Sequence, residues 1–348
     1  LVGLSIGVHL LNLLAVPAIV FIYYFKKYKV SKKGILIVTL LSFVILGGIL
    51  YLIIPWIVIL AGNFELFFVN QMRLPFNSGT LIYLLLLVGL IGFGIYYTQK
   101  NNKFVWNIIL KSFVFLLIGY STYFILVIRS SAETPIDENN PSNAINLLAY
   151  LQREQYGDTP LFYGQYYSAP FKDTEKWKDK KPVYKKDENL KKYVVIDKRQ
   201  NSKPVYEPEF CTIFPRMWSG QEAHHIEGYE SWGNVKGEKI KYARGGGQVE
   251  TIVKPTFIEN LKFFFSYQVS HMYIRYFMWN FVGRQNDIQG HGNVLDGNWI
   301  SGISFIDSRL GSQTDLPEYM KSNKARNKYY MLPFILGVLG LIYHIKNK

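Results

Sequence analysis

The sequence predicts a polytopic α-helical membrane protein with an extracytoplasmic α+β domain inserted before the last span. Three observations carry that prediction. Five apolar runs punctuate the 348 residues, roughly 200 mostly polar residues separate the fourth run from the fifth, and lysines crowd alternate connecting loops. Each run approaches the roughly 20 residues that cross a hydrocarbon core.

The runs occupy 1–25, 35–61, 80–97, 105–128 and 329–345. The first carries Gly3, Gly7, His9, Asn12 and Pro17, too polar a set for a plain lipid-facing anchor. His9 and Asn12 are three apart and are expected to share a helical face, either bonding a neighbouring helix or lining a membrane cavity. Gly62–Gly79 is short, amphipathic and aromatic, and reads as an interfacial helix, a re-entrant turn or a connecting loop at the outer surface.

Charge gives the orientation. The formal net charge is +14. Lys26, Lys27, Lys29, Lys32, Lys33, Lys100, Lys103, Lys111, Lys346 and Lys348 supply +10 of it, with no acidic residue among them. Glu65 and Arg73 cancel, and the stretch from Arg129 to Lys328 holds 28 basic and 24 acidic residues. The positive-inside rule therefore puts the lysine loops in the cytoplasm and the long polar stretch outside. The basic balance is a topology signal, and no nucleic-acid partner is expected. The reading is a multi-pass protein of a bacterial inner (cytoplasmic) membrane with its large domain facing the periplasm. Leu1 opens inside an apolar run without a charged leader, so further spans are expected before it. Cys211 is the only cysteine, so no intrachain disulfide forms and the outer domain must rest on packing.

The extracytoplasmic α+β domain is expected over 129–255. Ala144–Gln155 has helical spacing after Pro141. Leu161–Tyr167, Tyr193–Asp197 and Phe210–Phe214 read as strands, and the lysine-rich stretch around Lys172–Lys192 as a solvated loop, with contact to lipid phosphate as the competing account. Residues 256–283 hold ten aromatics beside a polar stripe of Glu259, Lys262, Ser266 and Ser270, which suits an amphipathic helix in the outer interface.

Two clusters could carry chemistry. Phe214–Lys236 is expected to be irregular and gathers Arg216, His224, His225, Glu227, Glu230 and Trp232. Adjacent histidines without HExxH spacing are a poor metal site, so no metal is expected; Glu227 and Trp232 are candidates for sugar or acceptor contact. Residues 284–328 form a Gly/Asn-rich loop following the interfacial helix. Arg284, with Arg275 second, is the candidate for a donor phosphate because a guanidinium fork matches phosphate oxygens. Asn286, His291, Asn298 and Trp299 would position sugar or acceptor, and Asp287 is a candidate base. The competing account is a self-satisfied turn network. Nucleotide-binding and nucleophile-elbow patterns are absent, and no cofactor is expected.

GLSIGVHLLNLLAVPAI at Gly3–Ile19, YFMWNFVGRQNDIQGHGN at Tyr276–Asn293, GNWISGISFID at Gly297–Asp307 and NKARNKYYMLPFILG at Asn323–Gly337 together resemble the Bacteroidota-type membrane proteins of the domain of unknown function 2723 family. That family is grouped with glycosyltransferase family 117 and is similar to the animal protein O-mannosyltransferases. The resemblance implies a GT-C-like architecture, a sugar, mannose first, on a polyprenyl phosphate as donor, and Ser or Thr of an exported protein as acceptor. It also implies a catalytic carboxylate in a WDCGEF-like first external loop. No such motif occurs here, so the carboxylate is expected upstream of Leu1 and activity of this chain alone is left open. His9 and Asn12 would then line the lipid-phosphate cavity. The alternative is a non-catalytic integral membrane scaffold or secretion accessory protein that binds a partner through its outer domain, with membrane lipids as partners in either case. A transporter lacks support, because few runs carry central ionisable residues and no inverted pairing is evident.

Overall fold

The computed structural model describes residues 2–132, 134–137, 139–152, 154, 157, 159–243 and 249–346. The first helices are α1 (Val2–Val8), α2 (Ala15–Lys27), α3 (Lys32–Gly47), α4 (Ile54–Leu66), α5 (Ser78–Lys100), α6 (Phe104–Tyr120) and α7 (Tyr123–Ser130), followed by a short α8 (Ala144–Leu151). Then come β1 (Tyr163–Gln165), β2 (Trp177–Lys178), β3 (Val183–Asp187), β4 (Lys192–Asp197), β5 (Lys203–Pro204), β6 (Cys211–Ile213), α9 (Ala223–Gly233), β7 (Glu238–Ala243) and β8 (Val249–Lys254). The chain closes with α10 (Phe257–Phe263), α11 (Arg275–Phe281), β9 (Gly283–Arg284), α12 (Ser304–Asp307), α13 (Glu318–Lys321), β10 (Asn327–Lys328) and α14 (Leu332–Lys346). Two compact units result: Leu1–Asp158 with Asp179–Ser202, and Thr159–Lys178 with Lys203–Lys348.

Among the described residues three helices are long and apolar enough to cross a membrane: Lys32–Gln71, Ser78–Lys100 and Phe104–Ser130. The expected span at 1–25 is instead broken. His9 is extended (φ −161°, ψ 126°), and its side chain accepts from the Leu11 amide at 3.1 Å, capping a 3₁₀ turn at Leu10–Leu14. A short polar side chain that offers the backbone an alternative partner interrupts a helix in this way. The expected span at 329–345 is a helix of 15 residues, about 23 Å at 1.5 Å per residue.

In the first unit, Tyr24 sets the tight turn between α2 and α3. Its hydroxyl donates to the Lys29 carbonyl at 3.3 Å and accepts from the Ser31 amide at 3.1 Å, while Ser31 caps α3 through the Gly34 amide. The helix from Lys32 widens to π geometry over Gly48–Ile53. Pro55 lies in the first turn of α4. It cannot donate to the carbonyl of Tyr51, and its ring crowds that turn. At the far end a second π segment, Phe67–Gln71, carries the helix well past the predicted boundary at 61. Gly62–Gly79 is therefore helix followed by a tight turn, not a separate interfacial element. Helices α1 and α6 cross where a Cβ on Gly119 would lie 2.1 Å from the Gly3 carbonyl carbon, a small-residue contact. Ile6, Leu13, Val16, Leu46, Ile54, Val58 and Tyr120 form the core, joined by Leu147 of α8.

The expectation of one outer domain over 129–255 is corrected by the placement of two of its pieces. Leu147 packs into the helical core, and the β3–β4 hairpin inside Asp179–Ser202 belongs to the same unit. The second half of the lysine-rich stretch, 183–192, is consequently part of a paired antiparallel hairpin rather than a free loop, with Lys186 opposite Tyr193 and Asp187 opposite Lys192.

The second unit is built from two-stranded pairs, β1 with β6, β2 with β5, β7 with β8 and β9 with β10. Phe214–Lys236 is partly regular: α9 runs through it and ends at Asn234 in the left-handed region (φ 50°). The helix Phe257–Phe281 is continuous through a π segment at Phe264–Ile274. It starts on a capping box between Thr256 and Glu259. Asn260, fully buried, donates to the Phe214 carbonyl at 3.0 Å and accepts from the Arg216 amide at 2.8 Å, tying the helix to the core of Tyr166, Met217, Tyr229 and Phe263.

Candidate functional site

The 284–328 segment is a compact knot on the end of the long helix. β9 lies between β10 and Trp299: Arg284 pairs with Asn327 on one side and bridges to Trp299 on the other. Gly283 makes this approach, at φ 140°, where a Cβ would lie 2.3 Å from the Ile300 carbonyl oxygen. Asp307, buried, accepts from the Ser301 amide (2.7 Å), the Ser301 hydroxyl (2.9 Å) and the Gly302 amide (2.8 Å), fixing the far side of the knot.

Arg275 has a different task from the phosphate binding expected of it. Its guanidinium is buried and donates to the carbonyls of His271 (2.9 Å), Gln289 (3.1 Å), Gly290 (3.3 Å) and Gly297. Four donor contacts to four carbonyls leave it as the post around which 289–297 is wound. Burial lowers its pKa from the ordinary arginine value.

The amides expected to grip a ligand largely grip one another. Asn286 donates to Asp296 at 2.7 Å, and Asn298 donates to Gln285 at 3.0 Å and to the Asn293 carbonyl at 2.6 Å. Asn293 accepts from the Leu295 and Asp296 amides. His291 is exposed, and its carbonyl meets His271 Nε2 at 2.6 Å. The Trp299 ring lies under the Arg309 guanidinium at 3.7 Å. Asn286, Asn298 and Trp299 are thus parts of a turn network.

Arg284 differs. Its guanidinium sits 5.1 Å from the Trp279 ring centroid, and its buried Nε has no partner among the described residues. Arg326, next to Arg284's strand partner Asn327, likewise has a buried Nη1 without a partner, while its Nη2 donates to Gln313 at 2.8 Å. Asp287 is exposed, with no side-chain bond among the described residues. Arg309 escaped the sequence reading because it stands among ordinary turn residues, and Arg326 because it sits between Lys324 and Lys328 in a basic run. Contacts to Trp299 and to Gln313, respectively, join them to the knot in the folded chain.

Glu227 and Trp232 both lie on α9, but five residues apart they are about 140° apart around the helix. Trp232 packs on Tyr267 (5.4 Å) and His271 (4.8 Å), whereas Glu227 is exposed. The structure does not bring them together. His9 and Asn12 do not share a helical face either: His9 is the cap, and Asn12 donates to the Ser5 carbonyl at 3.2 Å.

Two cavities stand out. In the first unit a cavity of about 800 Å³ runs between α4, α5, α6 and α7. Its walls are apolar, with Leu84, Leu87, Val88 and Leu117 among them, and Asn77, Thr80, Ser142 and Asn143 contribute polar groups. Glu65, fully buried, holds two of those polar residues in place. Its carboxylate accepts from the Asn77 amide (2.6 Å), the Thr80 amide (2.9 Å), the Thr80 hydroxyl (3.1 Å) and the Tyr193 hydroxyl (3.2 Å). The sequence signal was there, a lone acid closing an apolar run. It was absorbed into the charge balance with Arg73.

In the second unit a groove of about 570 Å³ is lined by Tyr167, Phe171, Asp173, Lys176, Tyr242 and Thr251, among others. The Tyr242 hydroxyl donates to the Phe171 carbonyl (3.3 Å) and to Glu207 (3.4 Å). Burial, with Asp173 and Glu207 nearby, pushes that hydroxyl up to about 12. The described residues contain no group of three or more His, Cys, Asp or Glu side chains able to hold a metal.

Residues 1–32 match the Protein O-mannosyl-transferase TMEM260 N-terminal domain, and residues 157–265 match the Family of unknown function (DUF8416). The first match includes Gly3–Ile19, one of the four stretches on which the sequence resemblance rests. No curated protein and no solved structure matches the chain.

Proposed function

We propose that this protein is a membrane glycosyltransferase of GT-C type. In this reading it moves a sugar, mannose first, from a polyprenyl phosphate to Ser or Thr of an exported protein, in a bacterial inner membrane with the second unit facing the periplasm. The similarity of residues 1–32 to an O-mannosyl-transferase domain supports the reaction class. The observation that carries the substrate class is the apolar cavity of about 800 Å³ among helices long enough to cross a membrane. Apolar walls with a few amide and hydroxyl groups suit a ligand that is mostly hydrocarbon with a polar head.

The chemistry assigns roles by type. The acceptor oxygen attacks the anomeric carbon, the bond from that carbon to the phosphate oxygen breaks, and polyprenyl phosphate departs with the electron pair. The acceptor proton passes to a carboxylate base. Asp287, exposed and unpaired among the described residues, is the candidate base within this chain. Arg284 is the proposed phosphate ligand, with Arg326 replacing Arg275 as its companion, since both retain an N–H without a partner among the described residues. His291 is kept as an exposed candidate for sugar contact.

The test is to incubate the purified full-length protein with polyprenyl-phosphate mannose and a Ser/Thr acceptor peptide. Mannosylated peptide is expected. Donor that is neither bound nor consumed, beside an outer unit that captures a protein partner, would replace this reading with the scaffold.

A further inference from the structure

The β3–β4 hairpin is clamped to the end of two membrane-type helices, and the clamp is specific. Asn70, in the π segment that ends the long helix, donates to the Tyr193 carbonyl at 2.9 Å and accepts from the Tyr193 amide at 2.8 Å. The Tyr193 ring meets Phe76 edge-on at 5.2 Å, and its hydroxyl reaches Glu65. Lys186, opposite Tyr193 in the register, lies over the Phe76 ring at 4.5 Å. The hairpin is therefore held at the α4–α5 turn, where the apolar helices give way to polar residues.

The segment that carries it is basic: Asp179–Ser202 holds eight basic and four acidic residues, of which Val183–Asp197 holds four and three. Arg199 is paired with Glu154 and Lys186 with Glu188, whereas Lys185, Lys191 and Lys192 form no ion pair among the described residues, Lys192 lying opposite Asp187 in the register. Asp187 is spent on the hairpin turn, accepting from the Asn189 and Leu190 amides at 2.9 Å. That turn presents Leu190, 58% exposed, beside Lys191 and Lys192. An exposed leucine followed by two lysines, fixed at the end of helices long enough to span, suits the boundary between acyl chains and headgroups: the leucine enters the apolar side and the ammonium groups stay with the phosphates.

We propose that the Val183–Asp197 hairpin is a binding site for anionic phospholipid headgroups at the rim of the helical bundle. The occupant is the bilayer's own anionic lipid, chosen by charge complementarity and by the hairpin's continuity with the helices. The inference needs only that those helices cross the membrane, and it stands apart from sugar transfer.

Purified full-length protein, in detergent supplemented with phosphatidylglycerol or with phosphatidylcholine, is compared by native mass spectrometry for retained lipid. The native protein is expected to retain phosphatidylglycerol preferentially. K185Q/K191Q/K192Q, which leaves the Lys186–Phe76 contact and the Tyr193 clamp untouched, is expected to lower that retention about tenfold or more. An unchanged thermal midpoint in lipid-free detergent confirms that the variant is folded. The milder K191Q/K192Q variant serves if the triple substitution does not fold. Equal retention of the two lipids, retention unaffected by the substitutions, or full displacement by millimolar inorganic phosphate each overturns the proposal; the last would mark a site for free anions. The readout is lipid, so failure here leaves the proposed transfer reaction untouched.

Discussion

The Tyr193 hydroxyl donates to the Glu65 carboxylate at 3.2 Å across 128 residues of chain. Burial first, and then the Glu65 charge, raises the pKa of this phenol, so it stays protonated and remains a donor. Tyr193→Phe removes one of four donors to a fully buried carboxylate. It is expected to cost about 1.5–3 kcal/mol. Thermal unfolding in detergent should show a lower midpoint, and pairing the change with Glu65→Gln should show non-additivity, since the two share one bond.

Gly283→Ala tests the knot. The residue sits at φ 140°, and an added Cβ would crowd the carbonyl oxygens of Ile300 (2.3 Å) and Asn327 (2.5 Å). A loss of about 1–3 kcal/mol is expected. Limited proteolysis should then cut within 284–328 while α9 and the 257–281 helix stay protected.

Arg275 and Arg284 should separate when each becomes Lys. Arg275→Lys cannot reproduce contacts to four carbonyls and is expected to loosen 289–297, read as faster hydrogen exchange there. Arg284→Lys is expected to leave exchange unchanged. On the proposed reading it would raise the KM for the lipid donor about tenfold, because a point charge replaces a fork.

Glu259 gives a pH signature. Burial alone would raise its carboxyl, but amide donors from Thr256 (2.8 Å), Lys236 (2.7 Å) and Gly237 (3.1 Å) outweigh it, and the pKa lies below the usual glutamate value. A depressed carboxyl contributes stability that is complete above its unfolded pKa and fades as pH falls through the folded one. Glu259→Gln should therefore unfold about 1–2 kcal/mol more easily at neutral pH. The gap should narrow in acid, as midpoint against pH would reveal.

Orientation is checked with a thiol at exposed Asp287, in a Cys211→Ser background. Asp287→Cys is expected to react with a membrane-impermeant maleimide in intact cells whose outer membrane has been made permeable. Labelling only after lysis would overturn the proposed topology.

The apolar runs made the three spanning-length helices legible, because twenty-odd residues without charge have few other uses. The break at His9 was not legible: helical spacing from Gly3 to Asn12 reads as continuous, and only a side chain turned onto the Leu11 amide ends it. The 284–328 loop was found as a segment but misread as mostly open. Its amides were counted as ligands when Asn286, Asn298 and Asn293 satisfy each other and the backbone. Arg275 looked like Arg284 in sequence; carbonyls supplied by 289–297 distinguish them. Glu65 and Tyr193 could not be joined by any local rule, since 128 residues of chain separate them.

The clamp at Tyr193 has a consequence for biogenesis. The ribosome delivers Glu65 and Asn70 well before residues 179–202, so both wait without Tyr193 while the intervening chain is made. Completion of this helix end is thereby coupled to synthesis and folding of the hairpin, and a nascent protein stalled in between would offer quality-control proteases an unfinished helix end.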